Sequence, residues 1–375
     1  MMRTVLATVV ALTALAVPAA AEPARPGDLV AATPVSVPLL PARAWQVRYR
    51  STNATGGVDV VSGTVLVPRT PWTGRGSRPV VGFAVGTQGL ADRCAASAQL
   101  RAGTEYETPQ IAQALARGWA VAVTDYPGLG TPGEHPYVVT RALGRAVLDS
   151  VRAARRLPGA GLAPDGPVAI YGWSEGGGAA GGAIEQQPSY APDVRITGAV
   201  VGAAPSDFDA LLERHDGSPF AFLLAYAASG FTSAYPDVDL DPYLTPLGRQ
   251  VVSWVRTTCI YDAIAVGLLL PKQLARYFTV DPRTIPAFRR RMDENELGRV
   301  APRTPVLVSY ARQDEIMPFA MGQALFHAWC ARGADARFLA LPLAEHVSGA
   351  VLLAPQGMAY LADRFAGKAA PDDCP

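Results

Sequence analysis

Residues 172–176 read Gly-Trp-Ser-Glu-Gly, and their flanks constrain the fold more than the pentapeptide itself. The run before it, Pro-Val-Ala-Ile-Tyr at 167–171, is apolar and suits a short buried strand. The run after it, GGGAAGGA at 176–183, suits a helix able to press close against that strand. Strand, sharp turn and helix are the parts of a nucleophile elbow, which lifts a serine hydroxyl above the end of a sheet. Glycines on both sides keep side chains clear of the turn. Ser174 is therefore the candidate nucleophile.

An elbow of this kind needs a sheet around it. Continuous apolar runs at 79–85 and 119–124 read as strands buried on both faces. Further strand signals lie at 45–49, 58–67, 196–201, 305–310 and 337–341. Helical stretches at 108–117 and 141–157 fall between them, the second clearly amphipathic. Such alternation predicts an α/β fold, a mainly parallel sheet covered by helices on both faces. Residues 22–45, rich in Pro and Ala, read as an extended arm over the surface. Residues 206–303 break the alternation; helix-like and punctuated by Pro, they read as a cap or lid inserted between two core strands. The core is then 22–205 and 304–375.

The N-terminus has one positive charge, a short apolar stretch and an Ala-x-Ala ending, the pattern of a secretory signal over 1–21. That stretch is shorter than the ~20 residues a membrane span needs. A soluble, exported protein is expected, with no transmembrane segment. Removing Arg3 takes the formal charge from +1 to 0, which gives no basic face for nucleic acid. At 49% hydrophobic and 17% charged residues, there is ample material for a large core. Cys94, Cys259, Cys330 and Cys374 form an even set, and in an exported chain that favours two disulfides in one of three pairings. Their spacing does not suggest zinc, and four histidines make a metal centre a poor expectation.

A serine hydroxyl needs a base within hydrogen-bond reach. His346 follows the last strand in Leu-Ala-Glu-His-Val-Ser-Gly; His135 and His215 precede any plausible acid, and His327 lies in a helical stretch. Asp314, just past the 305–310 strand, is the acid that would orient the imidazole. Asp207 and Asp209 are its rivals, Glu315 should face another way, and Glu345 reads as a solvated neighbour. The oxyanion needs two backbone donors. Glu175 N–H and Thr87 N–H, the latter in the Gly86–Gly89 loop, are the candidates. Asp125 and His135 read as turn residues satisfying loop groups.

Four segments carry a resemblance: Arg50-Ser51-Thr52-Asn53-Ala54, the run 86–95 (GTQGLADRCA), the run 124–133 (TDYPGLGTPG) and the run 171–180 (YGWSEGGGAA). Together they resemble the secretory lipase family of α/β-hydrolases, over nearly all of the chain beyond residue 21. The resemblance implies the α/β-hydrolase fold, a helical lid, ester hydrolysis without a cofactor, and Ser174, Asp314 and His346 as the triad. It also implies disulfides Cys94–Cys259 and Cys330–Cys374. One departure is visible: relatives often carry a His before the oxyanion glycine, where this chain has Val85.

The reading is a secreted serine hydrolase of carboxylic esters, a triacylglycerol lipase, with an ester or lipid substrate met at a lipid–water interface through the lid. A short-chain carboxylesterase, an acyltransferase, a peptidase and a non-catalytic binding protein are its rivals.

Overall fold

The computed structural model describes residues 25–375, so the secretory signal expected at 1–21 lies outside the described residues. The first three strands, β1 (Leu29–Val35), β2 (Ala42–Thr52) and β3 (Val58–Pro68), are antiparallel neighbours. The next six are β4 (Val80–Ala84), β5 (Ala120–Thr124), β6 (Val168–Trp173), β7 (Ile196–Gly202), β8 (Val306–Ala311) and β9 (Ala336–Leu341). All nine share one sheet, in the order β1-β2-β3-β5-β4-β6-β7-β8-β9. From β5 to β9 every pairing is parallel. β4, β5, β6 and β8 are buried at every position, as strands covered on both faces must be. The fold is that of an α/β-hydrolase.

Helices α1 (Ala96–Ala102), α2 (Thr108–Ala116), α3 (Thr140–Arg156) and α4 (Glu175–Tyr190) belong to the first part of the chain. The insertion between β7 and β8 holds α5 (Phe208–His215), α6 (Phe222–Ala234), α7 (Pro246–Val255), α8 (Ile260–Gly267) and α9 (Pro286–Asn295). After β8 come α10 (Phe319–Cys330) and the long α11 (His346–Phe365). α3 and α4 pack together on one side of the sheet, and α2 and α11 pack together on the other. Among the described residues, no helix is long and apolar enough to cross a membrane.

The expectation of an arm over the surface at 22–45 is corrected. Residues 29–35 are the edge strand β1, in register with β2 from Ala31↔Arg48 to Val35↔Ala44. Its residues are only half-buried or exposed, so backbone pairing rather than apolar burial holds it.

The chain passes from β4 to β5 on one side, then returns across to β6 on the other. This reversal opens a crevice at the carboxyl ends of β4 and β6, where ligands bind in open α/β sheets. Ala84 and Gly172 pair there, immediately before the loop at 85–89 and the elbow.

The insertion is fastened to that loop. Cys94 is disulfide-bonded to Cys259 across 165 residues. Leu90 N–H donates to the Thr258 carbonyl at 3.1 Å, and Ile260 N–H donates to the Gln88 carbonyl at 2.9 Å. The second disulfide, Cys330–Cys374, ties the C-terminal tail to α10. Both pairs are those implied by the resemblance.

Candidate active site

Ser174 sits between β6 and α4 with φ 60° and ψ −126°, a left-handed conformation that costs a non-glycine residue about 1–3 kcal/mol. Its N–H donates to the Gly202 carbonyl at 3.0 Å, and its carbonyl accepts from Gly178 N–H at 3.0 Å, which fixes the turn from both sides. The glycines are needed for close approach. A Cβ on Gly172 would lie 2.0 Å from the Gly176 carbonyl oxygen, and one on Gly176 would lie 2.0 Å from that of Ala84. The small-residue run after the serine therefore lets α4 press against the sheet.

Three polar side chains meet at this point. His346 Nε2 is 2.9 Å from Ser174 Oγ. His346 Nδ1 lies 3.0 Å from Asp314 Oδ1 and 2.9 Å from Oδ2. Ile316 N–H and Met317 N–H donate to Asp314 Oδ1 at 2.9 and 2.7 Å, so the loop after β8 holds the carboxylate in place. All three residues are buried. The rivals are placed elsewhere: Asp207 caps α5 through Ala210 N–H, and Asp209 pairs with Arg289.

His346 is not in a loop, as its position after a strand suggested, but is the first residue of α11. Glu345, expected as a solvated neighbour, is exposed and caps that helix, accepting from Val347 and Ser348 N–H groups. Glu315 turns away from the imidazole, yet its Oε2 accepts the backbone N–H of His346 at 3.1 Å. Two carboxylates thus fix the helix start that carries the imidazole. Neither function was legible beforehand, although Glu345 and Ser348 have the spacing of a capping box.

The loop at 85–89 is held through its polar groups. Gly86 N–H donates to Glu107 Oε2 at 2.6 Å, and Tyr106 OH donates to the Thr87 carbonyl at 3.1 Å. Thr87 Oγ1 lies 3.0 Å from Tyr137 OH. These contacts leave the Thr87 N–H unused among the described residues. Glu175 opens α4, where first-turn N–H groups have no intrahelical partner. Asp125 is fully buried and accepts from Ser62 Oγ, Ser97 Oγ and Ser97 N–H, the structural role expected of it.

Behind that loop lie two buried acids. Burial, and then the neighbouring Glu105, push the Glu107 carboxyl well above the ordinary range. Burial raises Glu105 from 4.5 to about 7. In the window between those two values the folded chain keeps a proton that the unfolded chain has released. The stabilisation from Glu105 is thus fully present below 4.5 and lost as pH rises through about 7. Glu105→Gln retains an acceptor for Gln88 and for Glu107 N–H without the titration. Its unfolding midpoint relative to the parent chain should rise from pH 4.5 to pH 8. A pH-independent difference in urea unfolding would contradict this.

Ser174, His346, Gly86 and Thr87 face an open cavity whose atom-free space, including the solvent at its mouth, is about 1070 Å³. Its walls are mostly apolar: Phe220, Phe222 and Leu223 around the start of α6, Ile260, Tyr261 and Ile264 of α8, and Val347 and Val351 of α11. The insertion therefore forms one wall of the space in front of the serine.

A family model described as secretory lipase matches residues 95–373. The chain belongs to the secretory lipase family. The class of chemistry is carboxylic ester hydrolysis. A relative in Mycobacterium tuberculosis, named "Probable inactive lipase", is 30% identical over 94% of this chain and 81% of its own length. A secreted triacylglycerol lipase of Malassezia globosa is 29% identical over 88% of this chain and 74% of its own. Candida antarctica lipase A in its closed state superposes with a TM-score of 0.84 at 22% identity, covering 94% of this chain and 84% of that one. The rice cell wall degrading esterase of Xanthomonas oryzae gives 0.71 at 19% identity, covering 89% and 95%. These two solved structures establish the shared fold of this family member.

Proposed function

We propose that this chain is a secreted triacylglycerol lipase that works through an acyl-enzyme on Ser174. The observation that carries the reading is the run of hydrogen bonds from Ser174 Oγ through His346 to Asp314, at the floor of a large apolar cavity. His346 Nε2 takes the hydroxyl proton as Oγ attacks the ester carbonyl. Asp314 keeps Nδ1 protonated and stabilises the imidazolium that forms. The N–H groups of Thr87 and Glu175 receive the oxyanion, and His346 then protonates the leaving alcohol. A water activated by His346 releases the acid and restores the serine.

The lipid side of the reading rests on the cavity and its rim. Val347 and Val351 line the cavity and are also largely exposed, as is Tyr261 across from them. Leu269 and Leu343, exposed at 84% and 85%, lie two residues past α8 and three residues before α11. Exposed apolar groups around a pocket mouth mark a surface that meets another apolar phase. Residues 206–303 would serve as the lid, and the named secreted lipases among the relatives support an extracellular site of action.

The test is a series of p-nitrophenyl esters from acetate to palmitate together with an emulsified triacylglycerol. Rates that rise with chain length and hydrolysis of the emulsion are expected. A short-chain optimum with no emulsion hydrolysis would replace the lipase by an esterase. A serine-reactive phosphonate that fails to label Ser174 would overturn the catalytic reading altogether.

A further inference from the structure

A carboxylate is an unfavourable neighbour for a developing oxyanion. Glu175 directly follows the nucleophile, and its side chain is 1% exposed, so water screens little of its charge. That charge is felt around the site. At Tyr126 and Tyr137, burial and then the Glu175 charge hold the phenol proton in place. At Tyr106 and Glu107 it adds to burial and to the neighbouring glutamates, and at Tyr226 it acts in the same sense. All of these groups are acids, so none can supply a compensating positive charge.

His135 can. It is 1% exposed, and its Nε2 lies 2.7 Å from Glu175 Oε1, within the range of charge-assisted hydrogen bonds. Its Nδ1 lies 3.1 Å from the carbonyl oxygen of Pro127, which can only accept, so Nδ1 carries a hydrogen. The ring stacks on Tyr126 at 5.7 Å, which fixes its plane. Both ring nitrogens therefore face acceptors, the arrangement that suits an imidazolium. The residues are 40 apart in sequence, and the hydrogen bonds found for His135 run to neither Ser174 nor His346.

We propose that His135 is a positioning residue whose imidazolium cancels the Glu175 carboxylate and anchors the first turn of α4, so that the Glu175 N–H meets the oxyanion without an opposing charge beside it. The inference rests on the reading of Ser174 as nucleophile and Glu175 N–H as oxyanion donor. Charge cancellation separates it from a packing role. Removing the cation should matter only while the anion is there.

The experiment is a double-mutant cycle of His135→Gln and Glu175→Gln, read as kcat and KM on one p-nitrophenyl ester at neutral pH. At neutral pH, His135→Gln in the Glu175 chain should lower kcat about 30-fold or more, with KM changed less than about threefold. The same substitution in the Glu175→Gln chain should cost less than about threefold. Equal losses in both backgrounds, or no loss in the Glu175 chain, would overturn the proposal. His135→Asn completes the same cycle if the Gln variant does not fold. Failure of the unsubstituted chain to be labelled by a phosphonate would instead remove the reading on which the proposal stands.

Discussion

Ser174→Ala should lower kcat for ester hydrolysis by about 10⁴-fold or more, the scale of losing a serine nucleophile. The substitution removes one atom, Oγ, whose hydrogen bond is to His346 Nε2. The backbone contacts that fix the elbow, Ser174 N–H to Gly202 and Gly178 N–H to Ser174, do not involve the side chain. Alanine at φ 60° bears the same strain as serine, so the fold should survive. What remains is binding and the oxyanion donors, which leave a residual acceleration of about 10³–10⁴ over water in such sites. Because the three side chains act as a unit, Ser174→Ala combined with His346→Ala should fall no further than Ser174→Ala alone. Turnover above about 1% of the parent in a phosphonate-insensitive Ser174→Ala chain would exclude the serine from the mechanism.

Asp314→Asn should cost about 10⁴-fold in kcat while leaving binding and stability nearly intact. The loop dictates how the amide must sit. Oδ1 accepts from both Ile316 and Met317 N–H groups, so in asparagine the carbonyl oxygen has to occupy that place. The amide NH₂ then takes the Oδ2 position, 2.9 Å from His346 Nδ1. There it donates to Nδ1, which favours the tautomer that accepts over the one that could still donate to Oδ1 at 3.0 Å. The imidazole hydrogen moves to Nε2 and points at Ser174 Oγ, which leaves no base for the hydroxyl proton. Steady-state kinetics on one ester decide the matter: a loss below about tenfold would deny Asp314 the orienting role.

Why Ser174, Asp314 and His346, which the structure brings together, stood out in the sequence is a matter of where they stand. Ser174 directly follows a strand, and Asp314 and His346 come within a few residues of one, so continuous apolar runs give away their positions. Backbone-held features give no such sign. β1 is half-exposed and interrupted by a register shift, so neither period nor burial distinguishes it from a loop. Glu107 contacts Gly86 across 21 residues and His135 contacts Glu175 across 40, distances at which no local pattern operates. Each of those carboxylates looks like a surface residue until the sheet brings its partner alongside. The disulfides lie between these cases. Parity predicts two of them, but spacing cannot choose among three pairings, and only the family resemblance singled out the pairs that the structure contains.

The Cys94–Cys259 bond also has a consequence for timing. The loop at 85–89 is complete on the ribosome long before residue 259 emerges, yet the clamp that joins loop to cavity wall waits for that later segment and for an oxidant. Until the bond forms, α8 is joined to the loop only through short-range contacts such as Leu90 to Thr258 and Ile260 to Gln88. A chain kept under reducing conditions therefore carries Ser174, His346 and Asp314 without a fastened cavity wall. Completion of the cavity wall is thereby coupled to oxidation, so a reduced chain and an oxidised one differ in how firmly α8 is held against the loop at 85–89.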